Sequence, residues 1–183
     1  IYQEQYLKLN SRVDESINGV TIIRIPFRHS FKNPYIDEIW NRIRLFFVTK
    51  KLIKKYTLDV VESFDSTGWI PIKLQIPFVT RLHGSVTYFG KELSRPYSRF
   101  ISFFEYKQLR NSNLIIGVSE YVLKKSLEYF KLKQKGLVIY NSVPDRFFET
   151  PNIKNQERTI LYFGSILPKK GVIKMSSSMK LYS

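Results

Sequence analysis

The stretch Leu114-Ile-Ile-Gly-Val118-Ser119 decides the fold. Its apolar, β-rich run ends on Ser119, a natural helix N-cap, and Glu120 to Phe130 follows with helical spacing. Leu137-Val-Ile-Tyr140 then reads as another strand. Strand, helix, strand in this order predicts two parallel strands joined by a crossover helix. The same alternation continues toward the N-terminus. Pro77 to Leu82 is a strand stopped by His83-Gly84, and Tyr97 to Arg110 has helical character, with residues 85–97 read as a loop. Leu58 to Ser63 is expected as a short buried strand, with a short helix within Gly68 to Leu74. Ile36 to Tyr56 has helical spacing of Ile36, Ile39, Trp40, Ile43, Phe46, Phe47, Leu52, Ile53 and Tyr56. Gly19 to Ile25 is a strand closed by Pro26, and residues 1–18 are polar without a clear period. Toward the C-terminus, Asn141 to Glu157 is a polar linker with Pro144 and Pro151, and Thr159 to Gly164 is the last strand. The expected class is α/β with a largely parallel sheet.

Composition bounds the function. The 183 residues are 43% hydrophobic, which suits a globular core rather than disorder. No cysteine is present, which excludes a disulfide framework, a thiolate metal site and a Cys nucleophile. No apolar run reaches the ~18 residues that span a bilayer, and nothing near Ile1 resembles a signal peptide. Thirty Lys and Arg against fifteen Asp and Glu give a net charge of +15. That field favours polyanions: nucleic acid, an anionic membrane surface or phosphorylated substrates. A lysine-solvated surface accounts for it equally well.

Few residues carry recognisable chemistry. His83 directly follows a strand, which places it at the carboxyl edge of a parallel sheet, where ligands bind in open α/β folds. Gly84 lets a substrate approach the backbone. A loop histidine with ordinary hydrogen bonds is the competing reading. His29, in Arg28-His29-Ser30, reads as surface. Gly164 to Gly171 has the character of a phosphate-gripping turn, with Lys170 as a point charge, although its spacing is not that of a Walker A loop. Glu62 and Asp65 flank a strand end without forming an evident acid–base pair. No metal-ligand spacing or nucleophile elbow occurs.

The order of elements adds more than any one of them. Asp59-Val-Val-Glu62 is followed by Ile76 to Gly84, Glu105 and Asn113 to Ser119. Then come Val138-Ile-Tyr-Asn141-Ser-Val143-Pro144, Phe148, Ile160 to Gly164 and Lys169-Lys170-Gly171. This series resembles the group-1 (family 4) retaining glycosyltransferases with the GT-B fold, over about Asp59 to Gly171. Gly19 to Pro26 resembles an earlier strand of that family.

The resemblance implies a Rossmann-like acceptor-side domain over residues 1–143, a linker over 144–158 and the start of a nucleotide-sugar-binding domain over 159–183. It implies transfer of a sugar, with retention, from a nucleotide-sugar to a glycan or lipid-linked acceptor. His83 would lie beside the transferred sugar as the catalytic residue. Gly164, Ser165 and Lys170 would hold the donor diphosphate, and Gly84, Glu62, Ser119 and Asn141 would line the acceptor cleft. No cofactor and no metal are expected, because stabilising the departing diphosphate is electrostatic. Ser165 stands where the family usually has an arginine, and Asn141-Ser142 replaces Asn-Gly. The family's Glu-x7-Glu region would lie beyond Ser183, so the expectation is a truncated chain without turnover of its own.

Two other readings remain. One is a non-catalytic acceptor-binding module. The other is a polyanion binder, for which no RNA-type aromatic signature or helix-turn-helix pattern speaks. The helix Ile36 to Tyr56 is preferentially read as packing its apolar stripe into the core, with its lysines solvated. The alternative lays it on an anionic leaflet. The expected location is the cytoplasm, including the inner face of the membrane.

Overall fold

The computed structural model describes residues 13–149 and Gly171. The chain divides into two units, Ile1–Asn141 and Ser142–Ser183. Among the described residues, the first unit contains an antiparallel hairpin of β1 (Val13–Ile17) and β2 (Val20–Arg24), which forms its own two-stranded sheet. Asn18 and Gly19 make the turn with φ of 51° and 80°. Such a two-residue turn needs positive φ at both positions, for which Asn-Gly is the favoured pair. β1 was not expected, because an Asn-Gly turn signal matters more here than periodicity over five residues.

Four strands form the parallel sheet, in the order β3 (Val61–Phe64), β4 (Phe78–Leu82), β5 (Leu114–Gly117), β6 (Gly136–Val138). The α/β class expected from the sequence is therefore correct, with four α-helices beside this sheet among the described residues. β3 departs from expectation: among the described residues it is an outer strand, and its exposure alternates, with Phe64 exposed. It is not a buried strand, and Leu58 to Val60 precede it. Ser66–Gly68 is a single 3-10 turn and carries the chain out of β3, in place of the helix expected over Gly68 to Leu74.

Helix α1 spans Pro34–Tyr56. Asn33 caps it by accepting from the Tyr35 N–H, Pro34 fits the first turn, and Lys54 and Lys55 sit in the last. Its orientation overturns the preferred reading. The buried residues are Asp37, Asn41 and Arg42, while Ile36, Ile39, Trp40, Phe47 and Tyr56 are all at least 40% exposed. Of the expected stripe, Phe46 and Ile53 do pack, against Ile70, Leu74 and Phe78. The cause is polar. Asp37 accepts from the Ser30 and Phe31 N–H groups, and Asn41 accepts from the Arg28 N–H. Arg42 donates to the carbonyls of Thr67 and Gly68. Loop backbone groups buried without partners cost more than an apolar side chain left at the surface.

Helix α2 (Val86–Glu92) replaces part of the loop expected over residues 85–97. Ser85 caps it, accepting from the Tyr88 N–H at 3.0 Å. Val86, Thr87 and Gly90 are poor helix formers, which hid it. Helix α3 spans Arg99–Asn111 and α4 Glu120–Tyr129. Leu82, Leu109, Ile115 and Phe130 form one core cluster, flanked by Leu123 and Leu127 of α4. In the second unit, the described residues contain a 3-10 turn at Asp145–Phe147. The strand expected over Thr159 to Gly164 lies outside the described residues.

Candidate functional site

A parallel sheet aligns its strand ends. Phe64 pairs with Arg81, Leu82 with Gly117, and Gly117 with Val138. Each strand therefore delivers its next residues to one edge: Asp65 after β3, His83-Gly84 after β4, Val118-Ser119 after β5, and Ile139 to Asn141 after β6. This is the carboxyl edge, the usual place for a ligand in such sheets.

His83 is exposed there, and its backbone is fixed. The His83 N–H donates to Asp65 Oδ1 at 3.0 Å, and the Gly84 N–H to Oδ2 at 3.3 Å. Asp65 is 1% exposed. Burial pushes its carboxyl up to about 6, against the hydrogen bonds from His83, its own backbone and Gly84, and the charge of Glu105 adds to the rise. Gly84 has φ +110°, and a Cβ there would sit 2.5 Å from the Phe89 ring. Glycine is the residue that fits this turn without strain.

A second buried carboxylate lies behind the first. Glu105, on α3, is fully buried and accepts four hydrogen bonds. They come from the N–H groups of Thr67 at 3.0 Å, Val86 at 2.8 Å and Thr87 at 3.1 Å, and from the Thr87 hydroxyl at 2.6 Å. Thr67 has φ 63°, unfavourable for a β-branched residue. It is held from both sides, by Glu105 at its N–H and Arg42 at its carbonyl.

The other expected cleft residues divide. Ser119 is at the edge, and its hydroxyl caps α4 by accepting from the Val122 N–H at 3.2 Å. Asn141 is exposed just beyond β6. Glu62 lies within β3, opposite Val79, and not at the strand end. Its carboxylate accepts from Arg81 Nε at 2.6 Å and Nη2 at 3.2 Å, which holds it below the usual carboxylate range. A protonated His83 lowers it further, so Glu62 is within electrostatic reach of His83 without sharing its turn. His29 is exposed beside Asp37. Gly164, Ser165 and Lys170 lie outside the described residues. Among the described residues, no three acidic or histidine side chains converge as metal ligands do.

Sequence reasoning noted Asp65 beside a strand end and Glu105 in the family-like series, but assigned neither to the site. Asp65 was visible as an acid directly after a strand. Glu105 shows in the spacing Glu105, Gln108, Ser112, a polar line on the inward face of an aromatic helix.

The family model for Glycosyltransferase Family 4 matches residues 8–147, more than half of the chain. Neither a curated protein nor a solved structure gives a significant match.

Proposed function

The chain belongs to glycosyltransferase family 4, and from that premise we propose that it supplies the acceptor side of a retaining transfer from a nucleotide-sugar to a glycan or lipid-linked acceptor, as in polysaccharide biosynthesis. The observation that carries this reading is the turn His83-Gly84 at the carboxyl edge, anchored by Asp65 through two backbone N–H groups. An exposed imidazole on an immobile backbone suits a group that meets the sugar being transferred. Gly84, Ser119 and Asn141 line the same edge, with Glu62 one strand over. Gly164, Ser165 and Lys170 are the proposed donor-diphosphate residues, with Lys170 as the cation and no metal or cofactor required. Residues 1–143 are the proposed acceptor-side domain, 144–158 the linker and 159–183 the start of the donor side. Ser165 brings no positive charge to the departing diphosphate, so donor affinity is expected to be weaker than with a cation at that position.

The test is retention of fluorescent acceptor glycans and polyprenyl-linked saccharides on the immobilised chain. Retention that falls at least tenfold in His83→Ala supports the reading. No retention of any acceptor, together with salt-dependent retention on duplex DNA, sinks it in favour of a polyanion-binding module.

The outward apolar stripe of α1 favours peripheral membrane contact as part of this function. Ile36, Trp40 and Phe47 are exposed, and Lys50, Lys51, Lys54 and Lys55 follow on the same helix. Aromatic and basic groups together suit an anionic leaflet carrying a lipid-linked acceptor, at the inner face of the membrane. Among the described residues no helix is long and apolar enough to cross a membrane. Flotation with vesicles of 30% phosphatidylglycerol, but not with neutral vesicles, is the expected result. Self-association in sedimentation without flotation assigns the stripe to a second copy instead.

A further inference from the structure

The turn that presents His83 has no regular secondary structure of its own. β4 ends at Leu82 and α2 begins at Val86. Between them, the N–H groups of His83 and Gly84 point inward to a carboxylate that is itself buried. We propose that Asp65 is a positioning residue for His83, and that Glu105 supports it by fixing the segments on either side. The inference rests on the functional reading only where it takes His83 as the group that meets substrate.

The geometry carries it. A carboxylate has two oxygens, and Asp65 commits one to each of two consecutive backbone N–H groups. That pairing fixes the two peptides on either side of the His83 Cα, and with them the direction in which the His83 side chain leaves the sheet. Asparagine offers one acceptor oxygen in place of two, so it satisfies one N–H and turns its own NH₂ toward the other. Glu105 then ties Thr67, two residues after Asp65, to Val86 and Thr87, two and three residues after Gly84. The loops after β3 and β4 are thereby joined through two buried acids.

The charge balance around Asp65 is equally specific. Glu105 faces it from α3, and His83 lies on the turn it holds. Arg42 reaches in from α1, but its Nε and Nη2 donate to the carbonyls of Gly68 and Thr67. Asp65 is thus buried beside a second acid, with backbone N–H groups in place of a cation. Protonation removes the negative charge that strengthens both bonds to the turn. The turn is therefore tightest when Asp65 is ionised, and loosens in mildly acidic solution.

The experiment is NMR on the isotope-labelled 183-residue chain and needs no turnover. In Asp65→Asn, deuterium exchange at the His83 and Gly84 amides is expected to rise about tenfold to a hundredfold, while amides of α4 stay unchanged. Unchanged exchange at both turn amides overturns the proposal. A second arm holds even if that variant does not fold. In His83→Gln, which removes the imidazole and keeps its backbone N–H, the Asp65 carboxyl carbon and the Gly84 amide should titrate together with a midpoint of about 6. A Gly84 amide that does not follow the Asp65 carbon contradicts the coupling. Acceptor retention by the wild-type chain, with its own Asp65–Gly84 coupling measured, separates the two ideas. A coupled turn with no acceptor binding leaves the positioning intact and removes the function assigned to it.

Discussion

Replacing Arg42 by methionine tests the orientation of α1, on which the account of the fold depends. The guanidinium side chain is 2% exposed. It donates to the Gly68 carbonyl at 3.1 Å, the Thr67 carbonyl at 2.6 Å and the Glu38 carbonyl at 3.0 Å, and it pairs with the Glu38 carboxylate. Its carbon lies 4.4 Å from the Phe104 ring centre and 5.0 Å from that of Trp69. Methionine keeps most of the volume and removes every donor. The loop carbonyls of Gly68 and Thr67 then lose their donor, at about 1–3 kcal/mol each, and the cation–π contacts are lost with them. The expected loss is about 3–5 kcal/mol, the usual result of breaking a buried charged network from one side. Lysine places one ammonium where two carbonyls are served, so Arg42→Lys should fall between the variant and the wild type. The assay is urea unfolding followed by tryptophan fluorescence. Trp40→Gln is the matched control: Trp40 is 41% exposed, so its loss should cost about 1 kcal/mol or less. If Arg42→Met costs under about 1 kcal/mol and Trp40→Gln costs 3 or more, α1 faces the other way and the reasoning fails.

Three further outcomes follow from the same geometry. Asp65 titrates at about 6 in the folded chain against an ordinary 3.8, so the folded state holds the proton more tightly over that window. Its contribution to stability is fully present below about pH 4 and lost as pH rises through 6. The loss is about 3 kcal/mol for this shift, read as the pH-dependent difference between wild type and Asp65→Asn in urea. Gly84→Ala should cost about 1–3 kcal/mol of backbone strain at φ +110°, since the Phe89 ring can swing aside but the backbone cannot change sign; thermal unfolding measures it. Ser119→Ala removes the α4 cap and should cost about 1 kcal/mol in the same assay, with no cost expected if the hydroxyl serves only the cleft.

The sequence made the parallel sheet legible because β4 and β5 are short β-rich strands bounded by clear stops, His83-Gly84 and Ser119. It also placed His83 at the edge, since a residue directly after a parallel strand has nowhere else to go. It misled on α1, where spacing identifies an apolar stripe but not which stripe the neighbouring loops require. Asp37, Asn41 and Arg42 face inward because backbone groups of Arg28, Ser30, Phe31, Thr67 and Gly68 need them, and no apolar period records those irregular loop partners. The anchors of the turn were hidden for the same reason. Asp65 serves N–H groups eighteen and nineteen residues away, and Glu105 serves a Thr67 N–H thirty-eight away. Pairings of that range are set by the sheet order, which no local pattern records.

The carboxyl edge around His83 is the proposed seat of the acceptor. Titrating the ¹⁵N-labelled chain with acceptor oligosaccharides and mapping the amide shifts tests it most directly. The account predicts that the largest changes fall on His83 to Ser85, Val118-Ser119 and Ile139 to Asn141, and that His83→Ala abolishes them. Changes that avoid these residues, or saturating binding that survives His83→Ala unaltered, would contradict it.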